Sequence, residues 1–127
     1  MGSRMSERER ALAGLQEFQA QTASLRRALR GYERVFGGAS RRVEQGALLH
    51  EVMRKIGVSE LRADLVDRLA RFEEARHAMR VACFHLSHTE GLSIGEIARL
   101  WGISRQLTSR LINEAVEDPR PASRQSA

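Results

Sequence analysis

Apolar side chains recur at helical spacing along almost the whole chain, and Gly or Ser residues interrupt the pattern at intervals. The first run extends from about Ser6 to Phe36, contains no Pro, and places apolar residues alternately four and three positions apart. Its members are Ala11, Leu15, Phe18, Leu25, Leu29, Tyr32 and Phe36, with Thr22 as a polar interruption. This heptad-like alternation predicts one long amphipathic helix.

The apolar stripe of this helix can pair with a second copy of the chain or pack on another helix of the same chain. Pairing is favoured, because a helix of about 30 residues spans about 45 Å, which is more than a small domain can cover. The residues predicted to form the dimer contact are Leu15, Phe18, Leu25, Leu29, Tyr32 and Phe36.

Two further helices are predicted before residue 90. Gly37-Gly38 is expected to end the first helix, and Ser40 is a candidate N-cap for a second helix that Gly57 closes. Ser59 can cap a third helix that keeps its apolar spacing as far as His88. The C-terminal half of that helix is expected to serve as a scaffold for the segment that follows.

Residues 93–113 predict two short helices joined by a tight turn. Ser93 and Glu96 have the form of a capping box, in which each side chain bonds the other residue's backbone N–H. Gly102 stands where a left-handed residue would end the first helix, and Ser104 can cap the second. The inward residues of the two helices are Ile94, Ile97, Ala98, Trp101, Leu107, Thr108, Leu111 and Ile112.

This segment resembles the helix-turn-helix superfamily, most closely the tri-helical end domain of bacterial sigma factors and the similar LuxR-type and Fis-like domains. In that pattern a small residue stands four positions before the turn Gly and an apolar residue follows it, here Ala98 and Ile103. The pattern usually has Val or Ile where this chain has Thr108, whose hydroxyl must bond a backbone carbonyl if it is buried. No alternating, Gly-turned hairpin follows Ile112, so a winged MarR-type domain is not expected.

The resemblance implies that a recognition helix at about residues 104–115 enters the major groove of double-stranded DNA. Arg105 or Arg110 would pair with guanine and Gln106 with adenine, while Ser104, with Ser93 or Arg99, would position phosphates. The candidate DNA-binding residues in this segment are Ser93, Arg99, Ser104, Arg105, Gln106, Ser109, Arg110 and Asn113.

Charge adds one further candidate. The chain carries a formal charge of +5, but residues 92–117 hold three Arg against three Glu, so the DNA-binding segment is neutral overall. Ser40-Arg41-Arg42 could add affinity, because a helix start offers free backbone N–H groups to a phosphate and two Arg add charge. A solvated helix N-terminus is the alternative interpretation of Arg41 and Arg42.

The fold predicted from these patterns is all-α, with a long coiled-coil-like N-terminal helix and a helical bundle that ends in a wingless helix-turn-helix. Residues 1–5 resemble a cloning remnant, with native numbering expected from Met5. Residues 6–58 form the dimerisation region, and residues 59–117 hold the scaffold helix and the DNA-binding domain. Residues 118–127 contain two Pro and are expected to be disordered.

Catalytic and metal-binding patterns are not expected. Cys83 and His85 point to different faces of a helix, and His77 and His88 do not complete a ligand set, so no metal or other cofactor is predicted. The sequence has no phosphate-binding Gly loop with Lys and no nucleophile elbow, which argues against an enzyme. One cysteine and no long apolar run fit a cytoplasmic, nucleoid-associated protein without membrane contact.

The leading hypothesis is a homodimeric, sequence-specific transcriptional regulator of bacterial type. One alternative is a coiled-coil adaptor that uses the helix-turn-helix for protein contacts, and another is a weakly specific architectural DNA-binding protein. An apolar groove that binds a small effector is a further hypothesis, motivated only by size and helical content.

Overall fold

A computed structural model describes residues 5–118, which form five α-helices and contain no β-strand. The helices are α1 (Glu7–Glu44), α2 (Leu49–Ile56), α3 (Val58–Thr89), α4 (Ile94–Trp101) and α5 (Arg105–Asn113). The predicted all-α class is confirmed. Most of the predicted N-terminal remnant and of the predicted disordered tail lies outside the described residues. Of the helices within residues 5–118, none has the length and apolarity to cross a membrane.

Helix α1 begins where the sequence predicts and ends later. A capping box fixes its start: the Ser6 N–H donates to Glu9 Oε1 (2.8 Å) and the Glu9 N–H donates to Ser6 Oγ (3.0 Å). The predicted end at Gly37-Gly38 is wrong, because the helix continues through both glycines to Glu44. Ser40 therefore lies inside α1 and caps no helix. Ala39, one turn before the end of the helix, is buried, and its packing favours continuation.

Helices α2 and α3 also start differently from the prediction. Helix α2 begins only at Leu49, after Leu48, which makes no side-chain capping bond. Gly57 closes α2 in the left-handed conformation (φ 70°), as predicted. Helix α3 then starts at Val58, so that Ser59 lies within its first turn and is not an N-cap.

The chain divides into two compact units. The terminal unit comprises residues 5–20 and 73–118 of the described chain, and the middle unit comprises Gln21–Phe72. In the terminal unit, α1 and α3 approach so closely that a Cβ on Gly14 would lie 3.2 Å from Met79 Cα. Both helices also bury small residues, namely Ala11 on α1 and Ala75 and Ala82 on α3.

The middle unit contains the remainder of α1, all of α2 and the first half of α3. Arg68 Nη1 of α3 donates to Ser24 Oγ of α1 (2.7 Å). The Tyr32 and Phe36 rings stack along α1 with centroids 5.5 Å apart. Much apolar surface in this unit is exposed, on Leu29, Phe36, Val43, Leu48, Leu49, Val66 and Leu69.

Candidate nucleic-acid interface

Helix α4 starts with the capping box that the sequence predicts. The Glu96 N–H donates to Ser93 Oγ (3.1 Å), and the Ser93 N–H donates to Glu96 Oε1 (2.9 Å). The hydrogen bond from the Ser93 N–H, followed by that from its hydroxyl, holds the pKa of the Glu96 carboxyl below its ordinary value. The first turn of α4 is therefore fixed by reciprocal bonds at an exposed position.

The turn between α4 and α5 matches the predicted chemistry. Gly102 adopts φ 68°, a left-handed conformation that costs a glycine little, and it ends α4. The Ile103 N–H donates to the Ala98 carbonyl (3.0 Å) across the turn. Ser104 Oγ then accepts the Leu107 N–H (3.1 Å) and starts α5. Hydrogen bonds between residues close in sequence therefore cap both the end of α4 and the start of α5.

A small apolar core holds the two helices on the C-terminal half of α3. Its buried centre consists of Val81, Phe84, Ile97 and Leu111. The Phe84 and Trp101 rings meet edge to face, with centroids 5.1 Å apart. Thr108 is fully buried beside this core, and its hydroxyl donates to the Ser104 carbonyl (2.8 Å), which is the partner that its burial was predicted to require.

The candidate DNA-binding residues of the helix-turn-helix lie on its exterior. Ser109 is half-buried, and the exposed members are Ser93, Arg99, Ser104, Arg105, Gln106, Arg110 and Asn113. Gln106, Arg110 and Asn113 are spaced four and three residues apart, so they share one face of α5. Two amide groups and one guanidinium group therefore lie along one exposed face of α5.

Arg41 and Arg42 belong to the middle unit. Their predicted phosphate role assumed a helix start at Ser40, but both residues lie in the last turn of α1, where the backbone N–H groups are already bonded within the helix. Positive charge at this end of a helix complements the helix dipole. Arg41 and Arg42 thus present two exposed guanidinium groups without a helix N-terminus beside them, and their contact with DNA stays a prediction.

Two histidines attach the C-terminal end of α5 to α3, a feature that the sequence reasoning missed. His77 Nε2 lies 2.6 Å from Glu114 Oε2, and His85 Nε2 lies 3.0 Å from the Glu114 carbonyl oxygen. His77 and His85 are eight residues apart, about two helical turns, which was the available sequence signal. His88 instead bonds close to the end of α3, where its Nδ1 lies 3.0 Å from the Leu92 carbonyl oxygen.

The predicted dimer contact divides into two sets. Phe18, Leu25 and Tyr32 are half-buried within the chain, whereas Leu15, Leu29 and Phe36 are 48%, 46% and 37% exposed. The exposed set continues to Val43, seven residues after Phe36. Within residues 5–118 nothing buries these side chains fully, so they are the part of the stripe that a second copy could cover.

The titratable and sulfur groups of α3 form no metal centre in residues 5–118, where no three His, Cys, Asp or Glu residues converge on one point. Cys83 is half-buried against the core of the helix-turn-helix, and burial raises the pKa of its thiol. Cys83 therefore behaves as a small apolar core residue.

A model of the MarR family matches residues 84–118. The match supports a helix-turn-helix DNA-binding domain in this part of the chain, but not the narrower likeness to sigma-factor, LuxR-type or Fis-like domains. The sequence argument against a winged MarR-type domain does not exclude this likeness, although residues 5–118 contain no β-strand that could form a wing. It relied on the missing hairpin, whereas the match spans the end of α3, α4, α5 and the residues that follow to Asp118. No curated protein and no solved structure gives a significant match.

Proposed function

We propose that this chain is a sequence-specific, homodimeric transcriptional regulator that inserts α5 into the major groove of DNA. The observation that carries the proposal is the exposed polar face of α5, held on a doubly capped corner within the segment that the MarR family model matches. A rigid corner of this kind presents the side chains of one helix at a fixed angle to a groove.

Base recognition is assigned to the shared face of α5. Gln106 and Asn113 have the amide groups that bond adenine bidentately, and Arg110 has the fork that bonds the O6 and N7 atoms of guanine. Phosphate contact is assigned to Arg99 on α4 and to the hydroxyls of Ser93 and Ser104, because such contacts fix register without reading sequence.

Dimerisation is assigned to the exposed apolar row of α1. In the middle unit, Leu29, Phe36 and Val43 recur every seven residues, which is the repeat by which two helices pair. A two-fold dimer presents two copies of α5 to half-sites about one helical turn of DNA apart, or a multiple of that distance. The proposal therefore includes a palindromic operator.

The experiment is selection of binding sites from a randomised duplex library at two salt concentrations. We expect the wild-type chain to recover a palindrome, with binding that weakens as salt rises because phosphate contacts release counterions. The variant Gln106→Ala/Arg110→Ala should lose the recovered preference, since each bidentate base contact is worth about 1–3 kcal/mol.

Arg62→Ala is the matched control, because it also removes one positive charge but lies on an exposed site in the middle unit. Retention of the palindrome by the control and its loss in the α5 variant supports base recognition by α5. Salt-dependent binding without any recovered sequence would favour an architectural DNA-binding protein. Absence of DNA binding would favour the adaptor, whose helix-turn-helix contacts another protein.

A further inference from the structure

Gly95, in the first turn of α4, is buried although it has no side chain to bury. A Cβ at this position would lie 2.6 Å from Nη2 of Arg105 and 3.2 Å from both Cζ and Nε of the same side chain. Gly95 has ordinary helical φ, so the backbone conformation does not require a glycine here. The missing Cβ instead leaves room for the Arg105 guanidinium against the helix.

The guanidinium that occupies this space has no hydrogen-bond or ion-pair partner among the described residues. Within residues 5–118, Arg105 forms no salt bridge, and it takes part in no side-chain hydrogen bond. An Arg side chain offers five N–H donors in a planar fork. Arg105 is exposed, so these donors are accessible to a ligand while one side of the group rests on Gly95.

This position separates Arg105 from the base-recognition face of α5. Gln106, Arg110 and Asn113 project from α5 itself, whereas the Arg105 guanidinium lies back across the first turn of α4. In a helix-turn-helix the first helix crosses the DNA backbone while the second lies in the major groove, so a guanidinium held against α4 would lie nearer to phosphates than to base edges.

We propose that Gly95 is a positioning residue for Arg105, and that Arg105 so placed binds a DNA backbone phosphate and does not recognise a base. The inference rests on the proposed DNA-binding function and revises the base contact first assigned to Arg105. Gly95 touches no DNA in this scheme and acts only through the space that it leaves.

The first test needs no DNA. The Nε–H signal of Arg105 in an NMR spectrum can be assigned by its disappearance in Arg105→Lys. Gly95→Ala should shift this signal, because the new methyl group displaces the guanidinium. Gly31→Ala is the matched control: it also places Ala within a helix, and its Cβ would meet nothing within 4 Å. An unchanged Arg105 signal in Gly95→Ala would overturn the positioning role.

The second test measures DNA affinity against salt for Gly95→Ala, Arg105→Ala and the double variant, on a selected duplex and on a random-sequence duplex. Each single variant should bind about tenfold more weakly on both duplexes, and the slope of log affinity against log salt should fall by about 0.9, the value for one phosphate contact. The double variant should bind no more weakly than Arg105→Ala alone, since Gly95 acts through Arg105.

The outcomes separate this inference from the proposed function. A changed base preference in Arg105→Ala would overturn the inference, as would losses of DNA affinity that add in the double variant. The proposed function would still stand in either case if the wild-type protein binds its selected duplex. Wild-type protein without salt-dependent DNA binding would overturn both the phosphate contact and the proposed function, with the NMR result still deciding whether Gly95 positions Arg105. Thermal unfolding should show no loss of stability in Gly95→Ala, because alanine favours the helix and the displaced group is the end of a flexible side chain.

Discussion

Thr108 is the residue at which a polar group enters the core of the helix-turn-helix. It is 0% exposed, and its hydroxyl donates to the Ser104 carbonyl, which also accepts the Thr108 backbone N–H (3.1 Å). Loss of the hydroxyl therefore leaves no backbone group without a partner.

We expect Thr108→Val to change the free energy of unfolding by less than about 1 kcal/mol, because the shape is kept and no buried acceptor is orphaned. Thr108→Ser should cost about 1–1.5 kcal/mol, because it removes a buried methyl group and leaves a small cavity. Urea unfolding monitored by circular dichroism measures both. A larger loss in Thr108→Val than in Thr108→Ser would show that the hydroxyl, not the methyl group, stabilises the site.

Glu96 links the stability of α4 to pH. Its pKa is lowered in the folded chain by its bonds with Ser93, so the ionised form favours folding. This contribution is complete above the unfolded-state pKa of about 4.3 and is lost as pH falls through the lower, folded-state pKa.

We therefore expect the stability advantage of the wild-type chain over Glu96→Gln to be present near pH 6 and to diminish steadily as pH falls below about 4. Thermal unfolding of both proteins across this range measures the difference. Glu9→Gln should show the same trend, because bonds with Ser6 in the capping box of α1 also lower the pKa of Glu9. If the difference in stability between wild type and Glu96→Gln does not vary with pH, ionised Glu96 does not stabilise the start of α4.

At the scale of elements, the sequence predicted the helices whose ends are fixed by local bonds. Ser93, Glu96, Gly102 and Ser104 act within a few residues of themselves, so their pattern located α4 and α5. The end of α1 was mispredicted because Gly37-Gly38 lowers helix propensity by only about 1 kcal/mol per residue, which contacts distant in sequence can offset. The predicted cap at Ser40 was wrong for the same reason. The bonds from His77 and His85 to Glu114 depend on tertiary proximity that no local pattern contains.

The close approach of α1 and α3 gives a prediction about two glycines of one helix. Gly31→Ala should stabilise the chain by about 1 kcal/mol, because its Cβ would meet nothing within 4 Å and alanine favours the helix. Gly14→Ala should be about 1–2 kcal/mol less stable than Gly31→Ala, because its Cβ would press on the Met79 backbone.

Urea unfolding of the two variants and the wild type measures this difference, with each glycine serving as the control for the other. Equal stabilisation by both substitutions would mean that α1 and α3 can separate at Gly14 without cost.

At the scale of the whole molecule, the exposed apolar row of α1 predicts the assembly state. Leu29→Glu/Val43→Glu should weaken self-association about 100-fold or more, because each substitution replaces an apolar contact worth about 1.5 kcal/mol or more with a charge. Sedimentation velocity over a range of concentrations measures the change in mass. Leu100→Glu is the control, because Leu100 is 70% exposed on α4 and lies outside the row. If Leu100→Glu loses the proposed dimer, or if Leu29→Glu/Val43→Glu keeps it, the dimer interface does not lie on the apolar row of α1.

The terminal unit is built from two separate stretches of chain, with all 52 residues of Gln21–Phe72 placed between them in the sequence. The segment that matches the MarR family model lies wholly in the second stretch, whereas Gly14, which lies against Met79, comes from the first. A DNA-binding unit with this arrangement is not a contiguous cassette that recombination or protein engineering can move as one piece. We expect a fusion protein that borrows this DNA-binding segment to need both stretches, or another small-residue helix to cover α3.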